Sequence, residues 1–420
     1  MSFIKSFFKD LFNRIKEDKK FRIRFIGIAA LCVIGITIIV LVAVKLSGGS
    51  NEPSDEPVVE ITPTPELTAT PIPSPTDTPT PTPEPTPTPD LHIGEVRSKL
   101  DGGWIKEEIA NDRPYAMTLN NIVYANPQSG IGEAKILYEA LTEGGITRFL
   151  AVFEGLNEDS SCAERLGSVR SARHYFVSIA HEYDAIFIHY GATTYANRKL
   201  EELKITDDIE GLKGVNDPAY YRDKTIEAPH NAFASVAGIK KVIENRKIRI
   251  QHKDNFEFNH FNILEEDVYP LTNKPVAEQG DEPAGITASY VSLPYHKWMK
   301  PYFIYDAEKG VYARYQYDKE HIDYNTGEQL EFKNIIIQIV KESNKDKNGY
   351  QEIDFYETEG TGYYISLGQV VPITWKKSES SQFMMYYDEN GNTLSVNPGK
   401  TFISIFPDYR ENLITFNESN

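Results

Sequence analysis

Cysteine is almost absent from this chain, and what there is cannot form a bridge. Of 420 residues two are cysteine, Cys32 inside an apolar run and Cys162 far beyond it. No disulfide therefore staples the folded part, and core size must carry its stability. Net positive charge is missing as well, with 44 lysines and arginines against 61 aspartates and glutamates, a net of −17. Nucleic acid, whose phosphates demand a concentrated basic face, is excluded as an expected partner, although a local basic pocket is not. Glycine-rich phosphate loops, dinucleotide fingerprints and a Gly-x-Ser-x-Gly elbow are all lacking. His181-Glu182 has no second histidine to complete a zinc-protease helix. Asn344, Asp346, Asn348 and Gly349 open like a calcium loop, but its closing position falls on Phe355 instead of a glutamate. Neither a metal nor a cofactor is expected.

Long apolar runs are confined to one place. Phe25 to Val44 is an uncharged stretch of twenty residues, enough to span about 30 Å of hydrocarbon as a helix. It is longer than the apolar stretch of a secretory leader and lacks a small-x-small cleavage site. Cys32 is a poor lipidation site, because Leu31 sits beside it and most of the apolar run still follows it. Lys5, Lys9, Arg14, Lys16, Lys19, Lys20, Arg22 and Arg24 precede the span and only Lys45 follows closely, so the N-terminus is expected in the cytoplasm. Phe3, Ile4, Phe7, Phe8, Leu11, Phe12 and Ile15 fall at helical spacing, which predicts a basic amphipathic segment over residues 1–24 lying on the inner leaflet, the alternative being a solvated basic flank. The lipid bilayer is thus the expected partner of residues 25–44. Residues 45–90 form a Thr-Pro-rich stretch in which polyproline II dominates, a disordered stalk with a reach on the order of 130 Å.

After the stalk the pattern changes to that of a folded α/β unit over residues 91–250. Tyr115 to Val123 is strand-like, Ile131 to Thr142 carries a helical apolar face, and Thr147 to Phe153 is a buried strand after the Gly144-Gly145 turn. Arg173 to Tyr183 is predicted as a helix and Ala185 to His189 as a short buried strand. Alternating strands and helices imply a mixed sheet, with ligands gathering beyond the carboxyl ends of its strands, near Asn120, Asn121, Glu154, His189 and Gly191. A polar bridge over residues 251–273 follows. From residue 274 to 420, turn signals at Asp306–Gly310, Asn325-Thr326-Gly327, Lys347-Asn348-Gly349 and Glu389-Asn390-Gly391 separate short strand-like runs. That spacing predicts a mainly antiparallel, β-rich α+β domain.

Several motifs are long enough to carry a resemblance. They include Arg113-Pro114-Tyr115-Ala116-Met117, Asn120-Asn121, Pro127-Gln128-Ser129-Gly130, Tyr138-Glu139-Ala140 and Glu143 through Phe149. Gly167 through Arg173, Glu182-Tyr183-Asp184-Ala185, Ala228-Pro229-His230-Asn231 and Asn397-Pro398-Gly399-Lys400-Thr401 complete the set. Together they resemble the YerB-like envelope lipoproteins of Gram-positive bacteria. The resemblance implies an N-terminal and a C-terminal domain outside the cell, and assigns no reaction. Relatives of this kind commonly have a lipid-anchored cysteine, where this chain has a spanning helix.

The strongest polar constellation is Ser168, Arg170, Ser171 and Arg173, with Ser171 placed as the N-cap of the following helix. Two guanidiniums there can fork onto a phosphate or carboxylate, and Arg148 is positioned in sequence to join them. The competing possibility is internal pairing with Glu139, Glu143 or Asp184. His189, His230, Asn231, Asn120 and Asn121 complete the candidate ligand-binding residues. A nucleophilic arrangement of Ser168 or Ser171 with His189 or His230, oriented by Asp184, is conceivable. Tyr290, Tyr295, Trp298, Tyr302, Tyr305, Tyr312, Tyr315 and Tyr317 suit sugar faces or protein partners as well as ordinary strands.

The function expected is that of a non-catalytic binding or regulatory module of the cell envelope, its partners a wall polymer or envelope proteins. The alternative is a hydrolase or transferase acting on wall glycan or an anionic polymer. If the span orients as its flanking charges dictate, protease added to intact cells digests the C-terminal half. Full protection of that half until the cells are lysed would place it inside and contradict the assignment.

Overall fold

The computed structural model describes residues 92–417 except 255, 259, 279–284, 354–357 and 378–382. The basic segment 1–24, the span 25–44 and the stalk 45–90 lie outside the described residues. Among the described residues no helix is long and apolar enough to cross a membrane.

Ten strands form the main sheet. In chain order they are β1 (Tyr115–Asn121), β2 (Ile136–Leu141), β3 (Thr147–Phe153), β4 (Ile186–His189), β5 (Ile209–Glu210), β6 (Asn334–Val340), β7 (Thr358–Ser366), β8 (Gln369–Lys377), β9 (Met385–Tyr387) and β10 (Thr401–Pro407). Their spatial order is β9-β8-β7-β6-β10-β2-β3-β1-β4-β5. Mixed and antiparallel pairing with few helices is therefore what the chain adopts. One parallel seam joins the two halves of the sequence: Ile136 to Ala140 of β2 lie opposite Thr401 to Ile405 of β10. On its other side β10 runs parallel to β6, from Asn334 to Val340. A single sheet thus continues through strands from both segments.

Both faces of this sheet are covered. Leu137, Phe149, Ile337 and Phe402 pack with Val236 and Ile239 of a helix over Val236–Arg246, and with Phe303 and Tyr312 of a smaller antiparallel sheet. Ile136, Tyr138, Leu150 and Ile403 pack on the opposite face with Phe176 and Ile179 of the helix His174–Glu182. Double burial explains the one element that sequence periodicity misassigns. Ile131–Thr142 is not a helix but a short 3-10 turn, Ile131–Glu133, followed by β2, all six of whose residues are buried. A strand buried on both faces shows no alternation, and its apolar positions here coincide with helical spacing. The hairpins fall where their turn residues indicate, with Gly310, Gly327, Gly349 and Gly391 all at positive φ. Within 251–273, Asn262–Ile263 pairs with Ser395–Val396, and the Asn397 side chain clasps the Val268 backbone through both its oxygen and its nitrogen. The Asn397–Thr401 motif is accordingly a turn that ties these pieces to β10.

A polar network runs through this apolar interior. Arg314, on the strand Val311–Gln316, donates from Nη2 to Glu139 Oε2 of β2 at 2.8 Å, and neither residue is exposed at all. Its Nη1 donates to His321 Nδ1, whose Nε2 donates to Gln128 Oε1 at 2.6 Å. Asn121 and Thr147 donate to Glu139 Oε1, and Gln316 exchanges amide hydrogen bonds with Asn121. Burial and then the charge of Arg314 hold His321 far below its ordinary value of 6.5, consistent with a neutral ring that accepts at one nitrogen and donates at the other. Truncating one member strands the other charge in the core. Arg314→Ala is therefore expected to lose about 3–5 kcal/mol in equilibrium urea denaturation of the full chain, and the double change Glu139→Leu/Arg314→Met markedly less. A single-variant loss below about 1 kcal/mol would show that the pair is solvated after all.

Candidate functional site

Strand directions decide which sequence candidates meet. β1, β2 and β4 run the same way, so Asn120, Thr142 and His189 reach one edge, and antiparallel β3 begins there with Arg148 opposite Asn120. Glu154, expected near the site, follows the far end of β3 and lies at the opposite edge. Chain direction, which periodicity does not reveal, is the reason.

Three guanidiniums converge at this edge. Arg148 and Arg173 both donate from Nη1 to the Ser171 carbonyl, each at 2.9 Å. Arg173 also grips Glu143 bidentately at 2.7 and 2.5 Å. Arg170 donates to Pro229 O at 3.0 Å, and Arg222 donates to Asn231 Oδ1 at 2.7 Å while lying over the Tyr190 ring. No described carboxylate comes within ion-pair distance of Arg148, Arg170 or Arg222. Arg148 is only 3% exposed, and its Nε, like that of Arg170, is buried without a hydrogen-bond partner. Burial, then the charges of Arg173 and Arg170, depress Arg148 well below the usual guanidinium range; burial and then Arg173 depress Arg170. Guanidiniums do not release their protons near neutrality, so both stay charged, and the depression expresses first their burial and then the neighbouring positive charge, which an anion would offset. Glu143 is pushed up by burial but pulled down further by Arg173 and Arg148, and so stays ionised. One carboxylate faces three cations.

His230 borders the cluster. Its Nδ1 accepts from Asn120 Nδ2 at 2.9 Å, leaving the proton on Nε2, and Asn120 Nδ2 also lies 3.4 Å from Ser168 Oγ. Tyr124, 73% exposed, stands 6.1 Å from the imidazole, ring centre to ring centre. Of the sequence-predicted residues, Arg148, Ser168, Arg170, Ser171, Arg173, His230, Asn120 and Asn231 are therefore neighbours. Asn121 instead belongs to the Glu139–Arg314 network. His189 is wholly buried with Nδ1 on Gly191 O and Nε2 on Asp208, and has no part in the cluster.

Two local expectations need correction. Ser171 is not the helix N-cap; Arg173 occupies that position, with no side-chain cap, because Ala172 pairs with Ala192 and keeps the chain extended. Asp184 does not orient a catalytic histidine: it pairs with Arg249, Arg113 and His252. Cys162, in a polar turn, is nonetheless buried, and burial raises its thiol above the ordinary value. Missed altogether were Arg222 and Tyr124. The run Tyr220-Tyr221-Arg222 pairs antiparallel with Ala232–Ala234, and that hairpin around the Ala-Pro-His-Asn motif was the available signal.

Fold and site together define an α/β-plus-antiparallel protein whose two sequence segments share one sheet, with an arginine cluster at the carboxyl edge of its first strands. A family described as "Protein of unknown function (DUF3048) N-terminal domain" matches residues 100–249, and its C-terminal domain counterpart matches 291–403. The chain belongs to this YerB-like family. It is 31% identical over 315 residues to "Putative lipoprotein YerB" of Bacillus subtilis (strain 168), covering 75% of this chain and 87% of that protein. The crystal structure of the YerB protein from Bacillus subtilis superposes with a TM-score of 0.63 at 28% identity, covering 77% of this chain and all of that one.

His230 carries a testable consequence of the cluster. Burial first and Arg170 next lower its affinity for a proton, so its folded value lies below the ordinary 6.5. The unfolded chain then binds a proton that the folded one refuses, and this group's stabilising contribution is present above about pH 6.5 and is lost on acidification. An NMR titration should place the His230 transition below 6.5 and move it upward in Arg170→Ala. A transition above 6.5, or one indifferent to Arg170, would remove the electrostatic coupling.

Proposed function

We propose that this protein is a binding module of the cell envelope, attached at the membrane through residues 25–44 and facing outward, that holds an anionic polymer at Arg148, Arg170, Arg173 and His230. The observation that carries this reading is the uncompensated cluster, three guanidiniums against the single carboxylate of Glu143, with two buried Nε atoms lacking partners. Phosphate or carboxylate oxygens supply the missing acceptors, and planar forked donors suit them. Outward placement is supported by the basic flank before the apolar run and by the description of the Bacillus subtilis relative as a lipoprotein. An acidic chain with one local basic site discriminates as well, since the surrounding negative charge repels polyanions that cannot enter that site. Wall polymer is the partner favoured.

Retention of the full chain, in micelles, on purified wall sacculi tests this directly. Intact sacculi should retain it, sacculi stripped of phosphate-bearing polymer should not, and added salt should weaken retention. Arg170→Ala, which removes the half-buried member, held by a single hydrogen bond to Pro229 O, should cost about tenfold in affinity. Equal retention on intact and stripped sacculi, or by wild type and variant, would eliminate the anion site.

A further inference from the structure

A second cavity lies at the carboxyl ends of β6, β10 and β2, three adjacent strands that run parallel. Its volume is about 320 Å³, near the lower end of ligand pockets generally. Open parallel sheets gather ligands at such an edge. Of the motifs singled out in the sequence, Gly144-Gly145 and the run from Asn344 to Gly349 border it.

Two buried polar atoms there have no partner. Glu342, just past β6, is 7% exposed, and its Oε2 makes no hydrogen bond. His296, across the cavity, has a buried Nδ1 in the same condition. Leaving such atoms unsatisfied carries a desolvation cost that a ligand can recover. The wall is built closely around the histidine. Gly145 has φ +71°, and a Cβ there would come 2.7 Å from the His296 ring, so both the turn and the ring position require glycine.

The remaining lining tells what chemistry fits. Thr142, Ser343, Asn344 and Gln351 are neutral hydrogen-bonding side chains, and no lysine or arginine lines the cavity. Tyr409, 59% exposed, stands at its edge, and Trp298, 52% exposed, lies 3.9 Å from the His296 ring. Burial raises the Glu342 carboxyl above its ordinary value, and burial with Arg410 lowers His296 below its own. No described lysine or arginine lines the cavity, so an anion finds no ion pair in its walls, whereas hydroxyls find hydrogen-bond partners there and the Tyr409 ring suits the C–H side of a sugar ring.

We propose that this cavity is a carbohydrate site that takes an uncharged sugar ring, its hydroxyls paired with Glu342 Oε2 and His296 Nδ1. It is separate from the arginine cluster, and it stands whether or not an anionic polymer binds there. Thr142 and Gly144 line it while Glu143 between them holds Arg173, so one turn serves both places.

Calorimetric titration of the full chain, in a detergent without a sugar headgroup, tests the site with glucose and N-acetylglucosamine as probes and glucuronate and glycerol as contrasts. At least one uncharged sugar should saturate, with glucuronate and glycerol at least about tenfold weaker. Glu342→Ala and His296→Ala, on opposite walls, should each weaken sugar binding about tenfold or more, and Glu342→Gln, which keeps a donor and an acceptor in place, should stay within about threefold. Near-ultraviolet circular dichroism confirms folding of each variant, and either alanine variant alone suffices if the other does not fold. Absence of saturation by both sugars, equal binding of glycerol or glucuronate, or affinity unchanged in a folded alanine variant would overturn the assignment.

Discussion

Glu139 and Arg314 meet in the interior of the protein, 2.8 Å apart and without solvent exposure, one from the segment that matches the family's N-terminal domain and the other from the segment that matches its C-terminal domain. Everything around them accommodates that contact. Arg314 lies among the rings of Phe149, Phe303 and Phe402, and its remaining hydrogen bonds pass through His321 and Gln128 to the backbone of Asn120. A buried ion pair adds little stability by itself, but it penalises any packing in which either partner is left alone. Here it fixes how the strand Val311–Gln316 docks on β2 and β3. A second such pair, Glu182 with Lys377 beside His260, ties the helix His174–Glu182 to β8. Both pairs cross between the two segments.

That constraint has a consequence for the arginine cluster and the cavity. The arginine cluster draws its residues from the turns around β1, β3 and β4, all in the first segment. The second cavity takes Thr142 and the glycines from the first segment, and His296, Glu342, Gln351 and Tyr409 from the second. The cavity exists because β2, β10 and β6 lie side by side, so it depends on the same docking that Glu139 and Arg314 enforce. The hairpin Ser343–Glu352 adds a link, with Gly349 and Gln351 lining the cavity and Tyr350 6.0 Å from the Arg173 guanidinium.

Much of this was legible before any coordinates. β1, β3, β4, β6 and β10 follow from apolar runs bounded by turn residues, and the hairpin turns follow from glycines that must adopt positive φ. Arg148, Arg170 and Arg173 were recognisable as a group because guanidiniums beside a helix start have a restricted set of uses. Glu143, one of the carboxylates that the sequence offers as an internal partner, satisfies one arginine of the three. His189 and Asp184 were not legible, since a histidine or aspartate in sequence carries no record of which neighbour satisfies it.

What the sequence by itself determined is local: the composition that rules out disulfides and a broad basic face, the apolar run 25–44, the turn positions, and the period of each surface strand. Tertiary structure alone decided the rest. Ile131–Thr142 became a turn and a strand because both faces of the sheet are covered, which no local periodicity can announce. Two segments became one sheet because β10 inserts between β6 and β2 in parallel, a pairing between residues more than 260 positions apart. Such contacts owe nothing to neighbours along the chain. They are set by burial and by the cost of leaving a buried charge unpaired, and both exist only once the chain has closed on itself.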